Sequence, residues 1–289
     1  MRAVYLLLLV VAVPARADEL EPIAALDLPI DHGELRLSGF ATPVDNFGAG
    51  GYGASSVSLS GALPLYTSHH WRMLAQLRAS VEHVRGSALP ADETVTEDAL
   101  GLTAVYISDR HDLYSLYAGA SIAETPDTIA HATIMPTVVG LGSYRSGSIT
   151  WLYGGGFGQA LGRSWLLPAA GMSWRMSSTW TLTVLLPVEA EVRHRFDHAF
   201  DLGLIVAVSG DLYHLSEHLS DAGETVTLQL AELRTGVQAR YRFAGHWTAT
   251  AEVGVLGPRR LELDDLSSTS DGIAYTSLGL RYAFDAFVR

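Results

Sequence analysis

The sequence predicts an all-β protein, a closed transmembrane antiparallel up-and-down β-barrel of about 12 strands (roughly 10–14 possible). Three observations predict this fold class. The chain starts with an export signal, apolar and polar residues alternate along most of the remaining chain, and the last strand pattern closes with an aromatic residue.

A cleavable signal peptide is expected over residues 1–17, MRAVYLLLLVVAVPARA. One arginine gives the positive start, 5–13 is a short apolar run, and 15–17 has the small-x-small cleavage pattern. The run is too short to cross a bilayer as a helix. We therefore expect an exported protein with a periplasmic segment over 18–33 and an outer-membrane barrel over 34–289.

Composition excludes several functional classes. The 289 residues contain no cysteine, which excludes disulfide scaffolds, thiolate metal sites and cysteine nucleophiles. A net charge of −12 argues against nucleic-acid binding. A mean hydropathy of +0.19 with 17% charged residues argues against a disordered chain. No cofactor, metal or enzymatic activity is predicted.

Alternation is clearest over 188–196, VEAEVRHRF. The charges at Glu189, Glu191, Arg193 and Arg195 share one face, and apolar residues occupy the other, as a strand requires and a helix does not. The same alternation is present in the preceding segment, which starts at Trp180. The remaining segments with this pattern are 57–65, 71–85, 200–212, 233–243 and 247–255.

Two architectures accommodate such strands. A soluble sandwich or barrel buries the apolar face, whereas a membrane barrel turns it towards lipid. Small and oppositely charged residues on the polar face favour the membrane barrel, and so do Trp and Tyr near strand ends. The aromatic positions are Tyr66, Trp71, Tyr106, Tyr144, Trp151, Trp165, Trp180, Trp247 and Tyr282.

The charged residues of the polar faces should then line the lumen, because arginine on the lipid face costs about 2–4 kcal/mol near the midplane. The lumen-lining set comprises Arg72, Arg78, Glu82, Glu189, Glu191, Arg193, Arg195, Arg234, Arg240, Arg242, Glu252 and Arg281.

Two assignments stay open. Residues 34–41 are either the first strand or a plug. Longer polar stretches are expected at about 86–97, 125–131, 215–224 and 258–271. Of these, 86–97 and 215–224 fall at opposite barrel ends unless one strand is wrongly assigned or a hairpin lies near Pro187.

The final strand pattern resembles the terminal-strand signal by which outer-membrane barrels are recognised for assembly. Leu278, Leu280, Tyr282 and Phe284 alternate on its apolar face, although five residues come after the aromatic one. The expected partners are outer-membrane lipid, the barrel assembly machinery and a small solute.

Residues 167–215 resemble an uncharacterised family of bacterial outer-membrane β-barrel domains. The resemblance rests on LPAAGMSWRMSSTWTLTVLLPVEAEVRHRF and a later GDLYHL. Its marked positions are Pro168, Gly171, Trp180, Leu186, Pro187 and Arg193. It covers about a sixth of the chain by motif, implies a Gram-negative outer-membrane barrel, and carries no assigned activity.

Five other motifs are interpreted as turns, loops or packing features. Residues 109–112 could pair a carboxylate with histidine, 214–218 have metal-ligand spacing on a short helical turn, and 264–265 could hold a cation. The pair 69–70 is a turn beside the aromatic residues. Glycines in 154–158 suit curvature or close approach of neighbouring strands.

The predicted function is a porin-like narrow channel for a small solute, or a structural barrel, with a charged Arg/Glu lumen. The first alternative is a hydrolase at the barrel rim, acting on lipid or peptide through His111 and Asp112. The second is a soluble periplasmic β-barrel that binds an apolar ligand.

Overall fold

The structure is a computed structural model. It describes residues 32–43, 45–47, 50–85, 92–110, 112–124, 134–160, 163–187, 189–209, 212–215, 226–263, 266–270 and 272–285. The predicted signal peptide therefore lies outside the described residues. No helix among the described residues is long and apolar enough to cross a membrane.

The described chain is built from strands. In chain order they are β1 (His32–Ala41), β2 (Asp45–Phe47), β3 (Gly50–Thr67), β4 (Trp71–Arg85), β5 (Glu93–Ile107), β6 (Leu113–Glu124), β7 (Met135–Ser146), β8 (Ile149–Ala160), β9 (Arg163–Arg175), β10 (Trp180–Leu186), β11 (Glu189–Arg195), β12 (Phe200–Ser209), β13 (Leu212–Leu215), β14 (Val226–Phe243), β15 (Trp247–Leu263), β16 (Leu266–Ser270) and β17 (Ile273–Asp285).

Antiparallel pairing of successive strands closes the sheet, because β1 pairs with both β3 and β17. The short strands β2, β13 and β16 pair beside the ends of β3, β14 and β15, so the barrel has 14 strands around its circumference. The predicted fold class is confirmed, and the count lies at the top of the predicted range.

Residues 34–41 belong to the first strand, since β1 pairs along its whole length with β17. Of the two alternatives left open for the long connections, the hairpin near Pro187 is present, as β10 and β11 pair from Trp180–His194 to Leu185–Glu189. The expected polar stretches 86–97 and 258–271 are shorter in the structure, because β5 already starts at Glu93 and β15 continues to Leu263.

The two barrel ends differ. One end, here called the turn end, carries the connections 68–70, 108–112, 147–148, 176–179, 196–199 and 244–246, together with the start of β1 and the finish of β17. The other end, the loop end, carries the longer connections 86–92, 125–134 and 216–225. Asp197 stabilises one turn, because its Oδ1 accepts the N–H groups of Ala199 and Phe200 at 2.7 Å.

Exposure along β12 shows which face points outward. Asp201 and Ile205 are 1% and 3% exposed, whereas Leu204 between them is 62% exposed. Gly203 and Ala207 share the buried face, and the intervening apolar side chains share the exposed one. This inverted arrangement contradicts the soluble-barrel alternative, because a soluble barrel would bury its leucines.

Outward-facing aromatic residues surround the turn end. Trp71 contacts Tyr106 with ring centroids 5.1 Å apart, and Trp247 contacts Tyr282 at 4.7 Å. Tyr66, Tyr144, Trp151 and Trp180 are exposed on the same band, while the side chain of Trp165 lies outside the described part of the structure. Such a band is typical of a membrane–water interface.

Candidate functional site: a charged belt on the inner face

The inner face of one barrel sector concentrates charge. We call this set the charged belt, and it spans β11, β12, β14, β15, β17 and β1. Its members are the carboxylates Glu34, Glu189, Glu191, Asp201 and Glu252 and the arginines Arg36, Arg193, Arg195, Arg234, Arg240, Arg242 and Arg281.

Glu191 is the centre of one group in the belt. Arg193 Nε donates to Glu191 Oε1 at 3.1 Å, and its Nη2 donates to Oε2. Arg240, on β14, places Nη2 3.6 Å from the same Oε1. The Glu191 side chain is 5% exposed, and the two arginines are 20% and 18% exposed. One buried carboxylate thus has two guanidinium partners.

Glu252 forms a second group on β15. Its Oε1 lies 3.3 Å from Arg234 Nε and accepts the hydroxyl of Tyr275. Its Oε2 accepts Gln238 Nε2 at 2.8 Å. These partners come from β14 and β17, so the group ties three neighbouring strands together.

Asp201 and Glu34 repeat the pattern of one carboxylate between two arginines. Asp201 accepts Arg242 Nη2 and lies 3.5 Å from Arg195 Nε. Glu34 lies 3.3 Å from Arg36 Nη2 and 3.8 Å from Arg281 Nη1 across the β1–β17 seam. Arg195, Arg242 and Arg281 reach these carboxylates from neighbouring strands, whose register the sheet fixes.

The remaining predicted lining residues lie on β4. Arg78 pairs with Glu97 of β5 at 3.3 Å, and Arg72 Nη1 donates to the Ser68 carbonyl at the turn end. Glu82 occupies an inward position on the same strand and is half-buried. The structure therefore brings the other predicted residues into the belt and leaves Arg72, Arg78 and Glu82 apart from it.

That these side chains line a pore stays a prediction. The predicted set does not include Glu34, Arg36, Glu97, Asp201, Gln238 and Tyr275. Alternation in 34–41 and 200–212 already sorted Glu34 and Asp201 away from the leucines. The pairing partners were not visible in sequence, because they depend on strand register.

Small polar side chains are buried on the opposite inner wall, among them Thr103, Ser143 and Ser173. Tyr117 lies between two glycines. A Cβ at Gly101 would come within 2.3 Å of its ring, and a Cβ at Gly119 within 2.2 Å of its hydroxyl oxygen. The glycines let this ring lie flat against the wall.

His69, His70 and Asp109 are the one group of potential metal ligands found among the described residues. Their ligand atoms all lie within 4.8 Å of one another. His70 Nδ1 donates to the Ile107 carbonyl at 2.9 Å, which leaves Nε2 3.7 Å from Asp109 Oδ1. Asp109 is 89% exposed. The group therefore has geometry suited at most to a weak solvated cation, and the turn interpretation is retained.

The other motifs are only partly described. His214 lies in strand β13, so the predicted helical turn starting there is wrong. His111, Glu217, His218 and residues 264–265 lie outside the described residues. Asp112 donates its backbone N–H to Ser108 Oγ within its turn.

Comparison with known families then identifies the chain. The family described as a domain of unknown function (DUF6268) matches residues 114–270, more than half of the chain. The protein belongs to this family. The match confirms the uncharacterised barrel family that the sequence resembled. No curated protein matches the chain.

Solved outer-membrane barrels are similar in fold. The COG4313 outer membrane channel from Pseudomonas putida F1 has a TM-score of 0.54 at 9% identity, covering 94% of this chain and 100% of that chain. The TodX monoaromatic hydrocarbon channel (a deltaS2 mutant) has a TM-score of 0.48 at 10% identity, covering 91% and 94%. The translocator domain of the autotransporter NalP from Neisseria meningitidis has 0.43 at 12%, covering 91% and 94%. At 9% identity, the likeness to the COG4313 channel concerns the fold alone.

Proposed function

We propose that this member of the DUF6268 family is exported, loses residues 1–17, and resides in the outer membrane with the turn end in the periplasm. The exposed leucines of β12 and the aromatic residues at the turn end support a lipid-facing outer surface. Short turns are typical of the periplasmic side of such barrels, and longer loops of the outer side.

The barrel functions as a channel for small anions. The observation that carries this proposal is the composition of the charged belt, in which seven arginines accompany five carboxylates although the whole chain has a net charge of −12. Rings of arginine favour anions in pores because they lower the electrostatic energy of a passing negative charge. Barrels of this size lie between filled eight-stranded barrels and the water-filled 16- to 18-stranded porins.

Planar-bilayer recording of the purified protein tests this function. Under a KCl gradient, the reversal potential should show that chloride permeates better than potassium. The double variant Arg193→Gln/Arg240→Gln should shift the reversal potential towards the cation side, whereas Arg110→Gln, in an exposed turn, should not. Cation selectivity of the wild-type protein would contradict anion transport.

A structural barrel is the second candidate. It is favoured by the close pairing within the belt, where Glu191 and Asp201 are each held between two arginines. The same recording separates the two candidates, because a structural barrel gives no current above background at any voltage. Neither candidate assigns a catalytic role, and the rim hydrolase stays an untested alternative. Loss of hydrolysis of a lipid or peptide substrate in His111→Ala/Asp112→Ala would support it.

The outward face of β17 is proposed as the signal for the assembly machinery. Leu278 is 67% exposed there, and Leu280 and Tyr282 come next on the same face. Phe284 covers Gly33, where a Cβ would lie 2.1 Å from the ring. Loss of the folded form in cells carrying Phe284→Ala, with normal refolding of that variant from urea into detergent, would support this role.

A further inference from the structure

Among the described residues, the barrel wall is shortest at the β10–β11 hairpin. Each of these strands has seven residues, whereas β9 has 13 and β14 has 18. Trp180 starts β10 among the aromatic residues of the turn end. From there to Leu186 a tilted strand rises only about 15 Å, against an apolar band of about 25 Å. The hairpin therefore ends at the depth of the outer leaflet.

The neighbouring strands continue past the hairpin. Pairing of β9 with β10 ends at Ala170–Leu186, yet β9 extends to Arg163. Pairing of β11 with β12 ends at Glu189–Ala207, and β12 extends to Ser209. Among the described residues, nothing pairs with these free edges on the side of the hairpin.

The free edge of β9 carries a proline where an N–H would be costly. Arg175 N–H donates to the Ser148 carbonyl of the β8 side, so odd-numbered residues of β9 direct their peptide groups to β8 and even-numbered ones to β10. Pro168 is the first even-numbered residue beyond the last pair, Ala170–Leu186. It has no N–H, and proline is typical of strand edges for this reason.

The axial opening at the loop end is crossed by backbone. β13 pairs in parallel with β6 through His214 and Glu124, although β7 to β11 separate these two strands around the barrel. The ladder between β14 and β15 shifts register between Glu232 and Arg234, and such bulges bend strands. The extension formed by β13 and β14 thus reaches across the barrel to the opposite wall.

We propose that the gap above the β10–β11 hairpin is a lateral portal between the lumen and the outer leaflet, used by amphipathic carboxylates. The proposal rests on the channel function and names its substrate class. Ala169 and Leu185 lie on the inner face at the level of the gap, and Ile205 and Ala207 lie beside them on β12. The inner-face positions directly below belong to the Glu191 group of the charged belt.

This order of surfaces suits a molecule with an apolar chain and an anionic head. The apolar chain of this molecule moves from the lipid past apolar side chains of the protein without entering water. The head meets Arg193 and Arg240, which lie on the turn-end side of the hairpin tip. A neutral apolar molecule has no charged head to interact with the arginines, and a small inorganic anion has no apolar chain to contact the apolar side chains.

Fluorescence quenching by lipid tests the portal. Because the chain has no native cysteine, a single Ala169→Cys variant can carry an environment-sensitive label in bilayers of phospholipid brominated on the acyl chains. The control is Ala99→Cys, which also faces inward but lies on β5 between full-length strands. Strong quenching at position 169 and weak quenching at position 99 are expected. Equal, weak quenching at both positions would overturn the portal.

Lengthening the hairpin gives an independent test. Four alternating Val and Thr residues added to each strand between Leu186 and Glu189 should raise the wall and abolish lipid quenching at position 169. The same residues added at Gly147, in a turn-end connection, should leave it unchanged. If the lengthened variant keeps lipid quenching at position 169, the portal is refuted. If neither the wild type nor any variant conducts, the channel function fails instead.

The substrate class is tested with dansyl-labelled undecanoic acid and its uncharged methyl ester. Arg193→Gln/Arg240→Gln should weaken binding of the acid by about tenfold, equivalent to about 1.4 kcal/mol, and leave the ester unchanged. Equal affinity of the wild type for acid and ester would contradict a carboxylate substrate.

Discussion

Replacing Glu191 by glutamine tests the charged belt most sharply. The substitution keeps the shape of the side chain and removes one charge that Arg193 and Arg240 share at 3.1 and 3.6 Å. Breaking a buried ion pair by removing one partner costs about 3–5 kcal/mol. Because the two arginines keep 20% and 18% of their surface exposed, we expect the lower limit, about 3 kcal/mol.

The assay is equilibrium unfolding in urea and detergent, followed by tryptophan fluorescence. Glu97→Gln is the matched control, because its partner Arg78 is 53% exposed. An exposed pair contributes about 0–1 kcal/mol. In bilayers, Glu191→Gln should also increase chloride selectivity, since two arginines lose their shared carboxylate. A cost no greater than that of the control, with unchanged selectivity, would refute the ion-pair account of the belt.

Three further outcomes are expected. Gly171→Ala should abolish the heat-resistant folded band on electrophoresis, because its Cβ would lie 2.0 Å from a backbone oxygen, whereas Gly140→Ala, with nothing closer than 4.0 Å, should keep it. Two backbone N–H donors lower the pKa of the Asp197 carboxyl in the folded protein. The stability that this carboxylate provides should be complete above its pKa in the unfolded chain, and should be lost as the pH falls through its lower pKa in the folded protein. Asp197→Ala should flatten that acidic part of the pH–stability curve, and an unchanged curve would contradict it. Pro168→Ala should lower the unfolding midpoint in lipid by adding an unpaired N–H worth about 1–3 kcal/mol, and an unchanged midpoint would show that the edge is satisfied.

Alternation made most of the barrel predictable from sequence. In β12 the leucines and the intervening small or acidic residues separate by parity alone. The composition of the polar faces and the aromatic residues near strand ends then indicated that the leucines face lipid. The hairpin at Pro187 was predicted as one of two ways to keep long connections on one side.

Features that depend on distant pairing could not be predicted. The match of β1 with β17, the placing of Glu252 between Arg234 and Tyr275, and the reach of β13 to β6 all depend on register and bends. Local patterns do not encode these contacts, because each strand carries only its own two faces.

The most direct test of the inside-out barrel is a scan of spin labels along β12 in reconstituted membranes. Single cysteines replace Asp201 to Val208 one at a time, and collision rates with dissolved oxygen, which concentrates in lipid, are measured. The rates should peak at Leu202, Leu204 and Val206 and fall at the residues between them. Peaks at Gly203, Ile205 and Ala207 would contradict the account.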